Sequence, residues 1–140
     1  MRMSNLLGDL PARTAESGRD RGALAFGGET LGYGRLAAAI ETFAAALAAL
    51  RLPRAARVGI WIEKRIETVV AIFGTARAGC VFVPVNPLLK PEQAAYIARD
   101  CNVEVLVTNA PRVAAFAPLL EQCPDLRHIV VVGGGETAGA

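Results

Sequence analysis

The chain has 140 residues, 53% of them hydrophobic and 20% charged, with a formal net charge of +2. That length fits one domain of about 100–200 residues, and so apolar a composition excludes an intrinsically disordered chain. Fifteen Lys and Arg against 13 Asp and Glu fall short of the clustered basic excess of a nucleic-acid binder, so no nucleic-acid partner is expected.

Residues 1–22 mix Gly, Pro and both signs of charge and read as an arm or short helix leading into a domain spanning 23–140. Asp9 interrupts the apolar core that a signal peptide needs. No run reaches the about 18–20 apolar residues of a membrane helix. A cytoplasmic chain without a transmembrane segment is the expectation. Residues 23–26 and 29–31 read as two short strands about Gly27-Gly28, a hairpin signal. From Tyr33 to Leu50, the residues Leu36, Ile40, Phe43, Leu47 and Leu50 recur at helical spacing with alanines between them, and Pro53 follows.

A regular alternation comes next. Val58–Ile62 reads as a strand, and 65–78 as a helix with Ile66, Val69, Val70 and Phe73 on one face and Gly79 at its end. Residues 80–85 read as a strand closed by Asn86-Pro87. Residues 91–101 read as a helix begun by Pro91, 104–108 as a strand, 111–122 as a helix and 128–132 as a strand. Strand–helix alternation with short links predicts an α/β fold, a largely parallel sheet flanked by helices. Unbroken Val, Ile and Leu runs predict strands buried on both faces.

Local motifs for chemistry are weak. Gly133, Gly135 and Ala138 satisfy G-x-G-x-x-A directly after a strand, which would suit a small nucleotide-binding module. No helix pattern or acidic ribose partner follows, so a Gly-rich tail is the better account. Arg51, Arg54, Arg57, Lys64 and Arg65 form a basic stretch without interleaved aromatics and read as solvated charge. Trp61 and Phe82 lie inside apolar strands and read as core. His128 has no ligand set around it, and Ser4 and Ser17 lie in the arm without a nucleophile-elbow sequence. Cys80, Cys101 and Cys123 are too widely spaced for a CxxC pair and read as buried thiols, not metal ligands. No catalytic, cofactor-binding or metal-binding residue is assigned.

The ordered set of segments carries more. Leu31-Gly-Tyr33-Gly-Arg-Leu36 precedes the Ala-rich helix; Arg57-Val-Gly-Ile-Trp-Ile62 and Glu67-Thr-Val-Val-Ala-Ile-Phe73 follow. Then come Ala78-Gly-Cys-Val-Phe-Val-Pro-Val-Asn-Pro87 and Tyr96-Ile-Ala-Arg-Asp-Cys-Asn-Val-Glu-Val-Leu-Val-Thr108. In this order and spacing the chain resembles the N-terminal part of AMP-forming acyl-CoA ligases, members of the adenylate-forming superfamily. The run Val83-Pro-Val-Asn-Pro-Leu-Leu-Lys-Pro-Glu-Gln93 looks most like the bacterial subgroup associated with exosortase A systems. Three departures stand out: Gly32 replaces the Ser or Thr usual before the Tyr, Arg35 replaces the acidic residue usual two positions after it, and Ala55-Ala56 replaces the Gly-Asp usual before the first core strand.

The resemblance implies a partial N-terminal subdomain of the ligase fold. For the full-length parent it implies a carboxylate, ATP, Mg²⁺ and CoA, an acyl-adenylate intermediate and a CoA thioester product. The family's Ser/Thr/Gly-rich phosphate loop, its aromatic-x-x-Thr-Glu segment, its ribose-binding Gly-Asp and its C-terminal-domain Lys match no residue from 1 to 140. A scaffold piece that is inert by itself, holds no cofactor and self-associates through an exposed sheet edge is therefore expected. The alternative is a small nucleotide-binding or partner-binding α/β module.

Overall fold

Apolar spacing dictates the elements. In the computed structural model, which describes residues 6–133, a 3-10 turn at Leu7–Asp9 leads into helix α1 (Leu10–Gly18). Strands β1 (Gly22–Phe26) and β2 (Glu29–Gly32) pair antiparallel, as the Gly-Gly signal predicts. Then follow α2 (Tyr33–Ala49), β3 (Arg57–Ile60), α3 (Ile66–Arg77), β4 (Val81–Pro84), α4 (Pro91–Asp100) and β5 (Val103–Thr108). The series continues with α5 (Ala110–Phe116), a 3-10 segment at Ala117–Gln122 and β6 (His128–Val131). Strands β3 to β6 form one parallel sheet in the order β4-β3-β5-β6. The class is α/β with a parallel sheet, as the alternation implies.

The chain divides into two compact units. The first takes the residues up to Arg54 together with Lys64–Gly79, and the second takes Ala55–Glu63 and the residues from Cys80 onward.

In the first unit, α2 presents Leu36 and Ile40 to Val70 of α3 and Leu31 of β2. Phe43, Ile66, Val69 and Phe73 close around them. Helix α2 has no capping side chain at Gly32. Its first amides are satisfied by backbone instead: Tyr33 N–H donates to the Arg21 carbonyl at 3.0 Å and Gly34 N–H to the Arg19 carbonyl at 2.9 Å. Carbonyls from the preceding turn thus do the work of the missing Ser or Thr hydroxyl. Helix α3 stops where Gly79 takes φ 78°, the left-handed conformation that glycine adopts without a Cβ clash.

In the second unit, the β3–β5 register pairs Val58 with Val105 and Ile60 with Val107. Alternation puts these four on one face of the sheet, where all are buried. Trp61 and Leu106 join the other face, against Ala94, Ala95 and Ala98 of α4 and Phe116 of α5. Both faces are covered, which is why these strands carry no polar alternation. Strand β4 is an edge. Val81 and Val85 N–H donate to the Ala56 and Ile60 carbonyls at 2.9 Å each, so the intervening Pro84 turns its nitrogen away from the ladder, where no donor is needed.

One local reading needs revision. The helix expected over 111–122 ends at Phe116, because Pro118 cannot donate to the Ala114 carbonyl and its ring crowds it. The chain continues as a 3-10 segment. The turn before β3 forms despite the loss of glycine: Ala55 itself adopts φ 62°. An L-residue in that region is strained by about 1–2 kcal/mol. Ala55→Gly should therefore stabilise the protein by about 0.5–1 kcal/mol after the larger unfolded-state entropy of glycine is subtracted. Urea denaturation checks it, and a destabilised variant would contradict the strained turn.

Candidate functional site

In open parallel sheets the ligand-binding crevice lies outside the carboxyl ends of the strands. In the second unit three polar side chains meet there. Glu63 follows β3, Asn109 follows β5, and Arg112 sits one turn into α5. Asn109 caps that helix, its Oδ1 accepting from Arg112 N–H at 3.0 Å. Its Nδ2 donates to Glu63 Oε2 at 3.2 Å. The Arg112 guanidinium donates to the same oxygen at 2.6 Å and to the Pro87 carbonyl, just beyond β4, at 3.2 Å. It also lies 5.5 Å from the Trp61 ring centroid, a cation–π contact. One arginine thus ties together the segments that leave three neighbouring strands.

Beneath the clip, Trp61 is buried and packs at 6.0 Å against Phe116. Thr108 donates its hydroxyl to the Trp61 carbonyl at 2.6 Å. The clip is partly solvated, with the Glu63 side chain 46% and the Arg112 side chain 22% exposed. Its net worth is accordingly modest. We expect Arg112→Ala to cost about 1–2 kcal/mol, from the lost charge-assisted bonds and the uncovered Trp61 ring. Guanidinium denaturation followed by Trp61 fluorescence measures it, and a change below about 0.3 kcal/mol would show the clip to be idle.

The donor set does not fit a nucleotide triphosphate or its magnesium. The Arg112 guanidinium is committed to Glu63 and to a carbonyl, and the Glu63 carboxylate would repel phosphate. Among the described residues no group of three or more His, Cys, Asp or Glu side chains could hold a metal ion. No reaction step is assigned to this cluster.

The residues singled out from the sequence do not converge. Gly133 follows β6 with φ 72°, while Gly135 and Ala138, like Ser4, lie outside the described residues. Arg51, Arg54, Arg57 and Lys64 are exposed. Arg65 pairs with Glu67 at 3.0 Å. Phe82 and His128 are half-buried, and Ser17 is exposed on α1. The Glu63–Asn109–Arg112 cluster escaped the sequence reading. Its one signal was positional: polar residues directly after two apolar strands.

All three cysteines are free thiols. Burial pushes the thiols of Cys80 and Cys123 above the ordinary range. Glu104 adds to the effect at Cys80, and Arg99 offsets it in part at Cys123. A raised folded-state value means that the contribution to stability is whole below the ordinary thiol pKa and is lost as pH rises through the raised value. Stability should therefore fall on the alkaline side. At pH 8 Cys80 and Cys123 of the native protein should react sluggishly with a thiol reagent, whereas three thiols should titrate at once after unfolding. Rapid native-state labelling of Cys123 would contradict this.

Comparison with known proteins identifies the fold's relatives. The model of the family described as AMP-binding enzyme matches residues 11–138. A medium/long-chain-fatty-acid–CoA/3-oxocholest-4-en-26-oate–CoA ligase of Mycolicibacterium smegmatis is 30% identical over 129 residues, covering 92% of this chain and 23% of the ligase. Bacitracin synthase 1 of Bacillus licheniformis is 34% identical over 98 residues, 70% of this chain and 2% of the synthase. Among solved structures, the anthranilate CoA ligase AuaEII superposes with a TM-score of 0.89 at 26% identity, covering 99% of this chain and 27% of that one. A benzoate CoA ligase from Burkholderia xenovorans gives 0.83 at 22% identity, over 93% of this chain and 26% of that one. The chain thus spans about a quarter of the length of these CoA ligases. On the match across nearly its whole length, the chain belongs to the AMP-binding enzyme family, the adenylate-forming superfamily that includes the acyl-CoA ligases.

Proposed function

We propose that this chain forms the amino-terminal scaffold of an AMP-forming acyl-CoA ligase. The parent would convert a carboxylate and ATP to an acyl-adenylate and pyrophosphate, then transfer the acyl group to CoA. The observation that carries the reading is the alignment with a fatty-acid–CoA ligase over 92% of this chain but 23% of that enzyme. Catalysis of adenylyl transfer is mainly positioning and electrostatic stabilisation, and no described side chain is placed for either. The chain alone is therefore inert, and ATP, Mg²⁺ and CoA bind to parts of the parent other than these residues. We place its work in the cytoplasm.

Carboxylate-dependent ATP–pyrophosphate exchange tests both statements. The isolated chain should give no exchange above a no-protein control with any fatty or aryl acid. Grafted in place of the matching segment of the Mycolicibacterium ligase, it should support exchange. Activity in the isolated chain would overturn the inert reading, and a folded but dead graft would overturn the ligase-scaffold reading. The edge that β6 forms among the described residues, where His128–Val131 carry neither Pro nor a Lys or acidic residue, is our proposed route to self-association. Light scattering tests it, and a monomer at all concentrations refutes it.

A further inference from the structure

We propose that the first unit carries a docking face for an anionic lipid surface. Charge is divided unevenly between the two units. The first holds ten Lys and Arg against six Asp and Glu, a net +4; the second holds five against seven, a net −2. On the basic unit, two apolar grooves of about 400 Å³ and about 210 Å³ adjoin, with Leu24 and Val69 lining both. Leu10 borders one groove and Phe26 the other; they are 45% and 51% exposed. Lys64, itself exposed, and Arg65 border the Phe26 groove.

Large apolar side chains left in water beside basic ones are what a bilayer interface accepts. The rings and leucines enter the boundary between headgroups and acyl chains, while a lysine stem lies along the apolar surface with its ammonium at the phosphates. The +4 charge draws the unit toward anionic headgroups over the roughly 10 Å reach of the field. Among the described residues no helix is long and apolar enough to cross a membrane, so the face lies on the surface and does not span it. Two adjoining grooves bordered by partly exposed Leu10 and Phe26 suit a surface better than a single enclosed ligand. This inference goes beyond the ligase reading and does not depend on it.

Co-sedimentation of the full chain with vesicles tests it. Vesicles containing about one third phosphatidylglycerol should bind at least about tenfold more tightly than pure phosphatidylcholine, and added salt should erase the difference. Phe26→Ser and Lys64→Glu should each weaken binding by about tenfold. Both side chains are exposed, so circular dichroism should report an unchanged fold. Leu88→Ser on the second unit, at an 89% exposed site, should leave binding intact. Absence of binding, equal binding to both vesicle types, or an equal loss with Leu88→Ser would overturn the proposal. Competition by monomeric octanoate that leaves the vesicles whole would also overturn it, by assigning the groove to a single amphiphile.

Discussion

Phe116→Ala should be the most damaging single truncation in the second unit, at about 3–5 kcal/mol. Phe116 is the last residue of α5 and is fully buried. Its ring leans on Trp61 at 59°, and it shares a core with Leu106, Cys123 and the alanines of α4. Those alanines cannot extend to fill a void, because Ala94, Ala95 and Ala98 have no further atoms to offer. The cavity would therefore persist, and its cost adds to the lost transfer free energy and to the lost aromatic contact, itself about 0.5–1.5 kcal/mol. Trp61 is the single tryptophan of the chain, so its emission reports this core directly. The urea midpoint should fall sharply, with Phe116→Leu between the two. A loss below about 1 kcal/mol for the alanine variant would mean that α5 is not anchored by this ring.

Periodicity made most of this architecture legible. The stripe through Leu36 and Ile40 of α2, and the unbroken runs at Val58–Ile60 and Val105–Val107, depend on near neighbours alone, and sequence carries that information. What it hid depends on residues far apart or on backbone geometry. Glu63 and Arg112 are 49 positions apart, and only the parallel order of β3 and β5 brings them together. Ala55 adopts a left-handed conformation that its residue type disfavours; the strand pairing that begins at Ala56 imposes it. The helix expected to run through Pro118 was overextended because the apolar pattern of Val113, Phe116 and Leu120 continues across the proline. Family resemblance located the fold, whereas the cluster at the carboxyl ends of the strands came from topology alone.

Gly8→Ala should cost about 2 kcal/mol in the first unit, although it adds only one methyl group. A Cβ on Gly8 would lie 2.7 Å from the Arg77 nitrogen and 2.8 Å from its Cα, with the Ala76 carbonyl carbon at 3.1 Å. These are backbone atoms of the last turn of α3, and no rotamer change can move them aside. The Leu7–Asp9 turn must therefore shift away from α3. With it goes Asp9, a buried carboxylate that Arg77 reaches through its Nη1. Arg77 keeps its second partner, Glu41, at 2.7 Å. Glu41 is the main reason its pKa is raised, and Asp9 the lesser one, so the arginine stays charged and folded back. The loss falls on the turn. Detachment also sets a ceiling: the variant cannot lose more than the docking of the turn is worth, which keeps the estimate below the range for a core truncation. Arg77→Gln, which removes the pair but leaves Gly8 seated, should cost less. The double variant should cost little more than Gly8→Ala alone, because the two changes abolish the same contact. Full additivity in that cycle would show that the glycine and the ion pair act separately.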